Sequence, residues 1–125
     1  MSTTRLSRLE LKIMEVLWRL GTASVREVLL GLPEKNRPTH TTVQTILTRL
    51  EAKKAVRRAK KISNAHIYEP TVTRGATQRV LVDELLGFFG GRAAPLMSHL
   101  VETGQLTLAD VDEARKALRR EKKRE

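Results

Sequence analysis

The chain has 125 residues, the size of one ordinary domain or two small ones sharing a core, which excludes a large multidomain enzyme. Its 24 Lys and Arg against 14 Asp and Glu give a formal charge of +10, an excess that points to a polyanionic partner, nucleic acid first. The absence of Cys removes disulfides, thiolate metal sites and cysteine nucleophiles together, and agrees with a reducing compartment.

Aromatic residues are few: Trp18, Tyr68, Phe88 and Phe89 are the whole set, so aliphatic helix packing must build the core. No apolar run approaches the ~18 residues that span a bilayer, and the N-terminal MSTTRLSRLELK lacks the apolar region and cleavage site of a signal peptide. The expectation is a soluble, cytoplasmic protein with no stable membrane association. No internal repeat is visible.

Leu9, Ile13, Val16, Leu17 and Leu20 recur at helical spacing and predict a helix closed by Gly21. Ser7 and Glu10 form an S-x-x-E capping box at its start, and Ser24 and Glu27 repeat the device for a short second helix that must stop near Pro33. PEKNRP, residues 33–38, reads as a turn. A third helix runs from Thr39 to about Lys53, with Val43, Ile46, Leu47 and Leu50 on one side and Thr41, Gln44, Thr45, Thr48 and Ala52 opposite, flanked by Thr42 and Arg49. Ala55–Lys61 and Ala65–Pro70, joined by Ile62-Ser63-Asn64, read as a β-hairpin. Seven cations lie between Arg49 and Lys61 against the single Glu51, a net +6.

A second helical block follows. Thr77–Phe89 is expected to be helical and to end at Gly90-Gly91, Ala93–Thr103 to form a short helix closed by Gly104, and Thr107 with Asp110 to cap a last helix bearing Leu108, Val111, Ala114 and Leu118. The terminal RREKKRE is expected to fray. The fold class is therefore all-α dominated with a small β-hairpin: a winged helix-turn-helix domain over residues 1–72, then a three-helix dimerisation domain over 73–125 with a basic tail. About fifty residues of short helices bury little by themselves, and dimerisation is the natural remedy.

In a winged helix the third helix enters the major groove and the hairpin touches the flanking backbone. An uncharged face of hydroxyls and amides bordered by cations suits base edges, which nominates Thr41, Thr42, Gln44, Thr45 and Thr48 for base contacts. His40, Arg49, Lys53, Arg57, Arg58, Lys60 and Lys61 are the expected phosphate contacts. The plain alternative for both groups is a solvated polar surface. Leu81, Leu85, Phe88, Phe89, Leu96, Leu100, Val111 and Leu118 belong either to a core within the chain or to a dimer interface. Trp18 reads as a core or junction anchor, and Tyr68 either packs the hairpin on the third helix or offers its hydroxyl to phosphate. His40, His66 and His99 have no metal-motif spacing, so neither metal nor cofactor is expected. Asp83 and Glu84 are helix neighbours that do not face one another, and no G-x-S-x-G or P-loop occurs, so no enzyme is expected.

ELKIMEVLW at 10–18, SVREV at 24–28, HTTVQTILTRL at 40–50 and FGG at 89–91 together resemble the penicillinase-repressor (BlaI/MecI) family of bacterial transcription regulators. The resemblance covers nearly the whole chain; His40 stands where the family has an aromatic residue. It implies an N-terminal winged helix on operator DNA and a C-terminal homodimerisation domain. It also implies a membrane-embedded sensor protease whose signal leads to repressor cleavage at an Asn-Phe bond, eight residues past the second glycine of the GG pair. The corresponding bond here is His99-Leu100, a departure from that pattern. A copper-responsive branch carries C-terminal cysteines, which this chain lacks. The expected function is a homodimeric, sequence-specific repressor on a palindromic operator, released by a signal the sequence does not name. The alternative is a basic winged-helix scaffold that binds RNA or protein.

Overall fold

The computed structural model describes residues 5–124, in the order α1 (Arg8–Leu20), α2 (Val25–Gly31), α3 (His40–Ala52), β1 (Val56–Ile62), β2 (Ala65–Pro70), α4 (Arg74–Gly87), α5 (Ala93–Glu102) and α6 (Leu108–Arg124). The chain divides into two compact units, Met1–Leu81 and Val82–Glu125, so the division falls inside α4.

Both expected capping boxes close the first unit's helices. The Ser7 hydroxyl accepts from the Glu10 amide while Glu10 accepts from the Ser7 amide, and Ser24 and Glu27 do the same for α2. These reciprocal bonds satisfy donors that the first turn of a helix leaves free. From α1, Ile13, Met14 and Leu17 are fully buried, and they meet Val28 of α2 and Val43, Leu47 and Leu50 of α3 in one apolar cluster. In the turn between α2 and α3, Arg37 donates to the carbonyls of Leu32 at 2.6 Å and Leu30 at 3.5 Å, taking up acceptors that the end of α2 cannot pair.

The hairpin is antiparallel from Val56↔Pro70 to Ile62↔Ala65, with a register shift between Arg58 and Lys60. Its turn is therefore two residues, Ser63 and Asn64, one fewer than expected, because Ile62 still pairs. Ser63 takes a positive φ of 55°, the conformation that two-residue hairpin turns require. A third short segment fastens the hairpin to the helices: Ala23 and Tyr68 exchange backbone hydrogen bonds of 3.0 and 2.8 Å. Tyr68 is buried in the core cluster, so it packs the hairpin on the helices. Trp18 is half-buried against the same cluster and donates its indole N–H to the Val72 carbonyl at 2.9 Å, as an anchor should.

Two boundaries differ from expectation. α4 starts at Arg74, not Thr77, because the Thr73 hydroxyl accepts from the Ala76 amide at 3.0 Å and its carbonyl receives the Thr77 amide and hydroxyl. The same helix ends at Gly87, so Phe88 and Phe89 lie in the following turn. There the Gly91 amide reaches back to the Leu86 carbonyl at 2.8 Å, and Gly90 and Gly91 take φ of 64° and 77°, a left-handed reversal that side chains with a Cβ resist. α5 and α6 follow as expected, and the Thr107–Asp110 box is formed. Residues 119–124 do not fray, since α6 stays helical to Arg124, and Glu125 lies outside the described residues. Its acid at the N-terminal turn and cations at the C-terminal turn complement the helix dipole, and Arg, Lys and Glu are good helix formers. No helix among the described residues is long and apolar enough to cross a membrane.

Candidate nucleic-acid interface

α3 is held by its apolar stripe: Val43, Ile46, Leu47 and Leu50 are all buried. Burying that stripe leaves Thr41, Thr42, Gln44, Thr45, Thr48 and Arg49 exposed on the other side, and no acid lies among them. The helix starts at a Thr39 cap, whose hydroxyl accepts from the Thr42 amide at 3.2 Å and lies 3.0 Å from the Thr42 hydroxyl. Thr48 donates its hydroxyl to the Gln44 carbonyl at 3.0 Å, so outward it offers a methyl group and acceptor lone pairs. Gln44, Thr41 and Thr45 have side chains with no hydrogen bond among the described residues.

Apart from His40, which lines the groove described below, the expected phosphate contacts fall into three groups. Arg49, Lys60 and Lys61 are exposed and make no side-chain ion pair among the described residues. Arg57 pairs with Glu69 across the hairpin, and Arg58 pairs with Glu51 at 3.3 Å and approaches His66 at 3.4 Å. Such surface pairs contribute only about 0–1 kcal/mol and exchange readily for a phosphate. Lys53 differs. Its Nζ donates to Glu10 Oε1 at 2.7 Å, and Glu10 is buried, so Lys53 is part of the scaffold that holds α3 on α1. Sequence reading missed that partner because it lies 43 residues away.

His40 and Gln44 of α3 meet Ser24 and Arg26 at the start of α2 and Asn64 and His66 of the hairpin around one open groove of about 230 Å³. Arg26, Asn64 and His66 therefore join the candidate surface, although spacing along the chain gives no reason to group them. The signal that could have found Arg26 is its place between the two capping-box residues Ser24 and Glu27, a position that faces outward.

In the second unit no residue of α5 or α6 is buried. Leu85, Phe88 and Leu118 are exposed, Phe88 to 80%. Phe89, Leu96, Leu100 and Val111 are half-covered, as is Leu81 at the end of the first unit. His99, exposed within α5, stacks at a tilt on Phe89 with ring centroids 5.5 Å apart, so the His99-Leu100 bond lies inside a helix.

No curated protein matches the chain. Among solved structures, the solution structure of the DNA binding domain of the repressor BlaI is 27% identical with a TM-score of 0.52, covering 61% of this chain and 93% of that one. The CopR repressor structure is 31% identical with a TM-score of 0.47, covering 56% of this chain and all of that one. The likeness to the BlaI domain agrees with three helices followed by a hairpin as a winged helix. The penicillinase repressor family model matches residues 6–120, and the chain belongs to that family.

Proposed function

We propose that the protein is a DNA-binding transcriptional repressor that acts as a homodimer, placing α3 of each protomer in successive major grooves of a two-fold symmetric operator. The observation that carries this reading is the exposed face of α3. It presents Thr41, Gln44, Thr45 and Thr48 without an acid and carries Arg49 on its flank; Arg49, like Lys60 and Lys61 on the hairpin, has no ion-pair partner among the described residues. Gln can pair with adenine in two hydrogen bonds and Thr methyls can meet thymine methyls, each good bidentate contact discriminating by about 1–3 kcal/mol. The cations supply affinity through the backbone and fix register.

Residues 1–72 would form the DNA-binding domain and 73–125 the dimerisation domain. The exposed Leu85, Phe88 and Leu118, and an α5 and α6 in which no residue is fully buried within the chain, support a second copy as their cover. Dimerisation makes the second half-site contact intramolecular, so a signal that separates the protomers releases the operator. Proteolysis at His99-Leu100, under a membrane sensor, is one route by which such a signal could act on the second unit.

Selection of the full-length protein against random duplex DNA at about 150 mM salt tests the reading, because weak nonspecific attraction is screened there. An enriched two-fold symmetric motif is the expected result. Retained binding without enrichment overturns it in favour of a nonspecific scaffold.

A further inference from the structure

Residues 119–124, which the sequence reads as part of a fraying tail, belong to the C-terminal half of a helix. Arg115, Lys116, Arg119, Arg120, Lys122, Lys123 and Arg124 stand there against Glu121 alone, whereas Leu108–Ala114 holds Asp110, Asp112 and Glu113 and no cation. The helix dipole accounts for part of this polarity, since it favours cations in the last turn. That effect fades within the turn, and Arg115, Lys116, Arg119 and Arg120 all precede it. Every residue from Asp112 to Arg124 is exposed. Among the described residues, Arg124 alone of the seven has an ion-pair partner, Glu121 at 3.6 Å.

At 3.6 residues per turn the seven cations fan over an arc of about 200°, and Val111, Ala114 and Leu118 gather on the opposite side. One face can be covered by an apolar partner while the other stays in solvent. From Arg115 to Arg124 the helix rises about 13 Å, an axial length over which a DNA duplex carries roughly eight phosphate charges. Charge density is therefore matched. Within residues 115–124 the cationic arc contains no apolar side chain of the kind that a helix lying on a lipid surface would insert.

We propose that the C-terminal half of α6 is a second contact for the phosphate backbone of duplex DNA, independent of sequence and separate from α3 and the hairpin. The inference rests on the DNA-binding reading above. It adds a source of affinity that carries no base information.

The test compares the full-length protein with R119Q/R120Q/K122Q/K123Q on duplexes of about 40 base pairs, one random and one containing the selected motif, by fluorescence anisotropy across salt concentrations. Glutamine keeps helix propensity while removing charge. Each lost phosphate contact lowers the slope of log K against log salt by about 0.9, so a decrease of about 3 to 4 is expected, with the ratio of motif to random binding unchanged. The milder K122Q/K123Q should lower the slope by about 2 and serves if the quadruple variant loses helicity or changes mass in solution. An unchanged slope in a folded variant overturns the proposal, as does a collapse of the motif-to-random ratio. So does α6-dependent binding to vesicles of phosphatidylserine and phosphatidylcholine with no change on DNA. If the unaltered protein binds no duplex at all, it is the DNA-binding reading itself that fails.

Discussion

Lys53, at the C-cap of α3, and Glu10, in the first turn of α1, meet at 2.7 Å, and the Glu10 oxygen that accepts from Lys53 also accepts from the Ser7 amide at 2.7 Å. One carboxylate oxygen thus ties the start of the first helix to the end of the helix that carries the candidate base contacts. Burial pushes the Glu10 pKa up. The hydrogen bond from Lys53, the Ser7 amide, the Lys53 charge and the Ser7 hydroxyl together outweigh burial and hold the carboxyl below its usual 4.5.

Lys53→Met should therefore cost about 1–3 kcal/mol at neutral pH, because a buried carboxylate loses its cation. The sign of the pH dependence follows from a folded pKa below the unfolded one. The contribution is full above the unfolded carboxylate value and is lost as pH falls through the folded value. Urea unfolding followed by Trp18 fluorescence should show the gap between wild type and variant closing below 4.5. A gap independent of pH would deny the ion pair its role.

Gly31→Ala should destabilise the protein, although alanine is the better helix former by about 1 kcal/mol. A Cβ at Gly31 would stand 2.6 Å from Val16 Cγ1, and Val16 is buried with a stiff, branched side chain. Overpacking of this kind costs about 1–3 kcal/mol, so a net loss is expected by denaturant unfolding. Adding Val16→Ala should relieve the clash, and the two changes together should cost less than their sum.

Gln44→Ala should relax base preference at one position of each half-site by about 1–3 kcal/mol while leaving affinity for random duplex nearly unchanged. Lys60→Ala with Lys61→Ala should do the opposite, weakening all duplexes alike and lowering the salt slope by about 1 per contact. Equal effects of both variants on motif and random duplexes would remove α3 as the reader.

Phe88→Asp should shift the protein toward monomer, read by sedimentation at micromolar concentration. With Phe88 80% exposed, little of its surface is covered within the chain, so the unfolding midpoint of the first unit should hardly move. Operator affinity should fall with the dimer. A dimer of unaltered strength would place the interface elsewhere in the second unit.

The elements legible in the sequence are those whose cause is local. Ser7 with Glu10, Ser24 with Glu27 and Thr107 with Asp110 are three residues apart, so their reciprocal hydrogen bonds form as soon as the helix turns, and all three are present. The stripe Val43, Ile46, Leu47 and Leu50 likewise determines which face of α3 is outward, since burying it exposes Gln44 and Thr45 without further choice. Only the tertiary structure decided which cations are free. Lys53, Arg57 and Arg58 look alike in a basic run, but their partners Glu10, Glu69 and Glu51 are brought by chain reversal and helix packing. It also grouped Arg26, His40 and His66 around one groove, and set the start of α4 just after Thr73, where the threonine cap adjoins the pairing of Arg74 with Glu15. Periodicity along a chain says which side chains must leave water; distance in space says what they and the charges around them then meet.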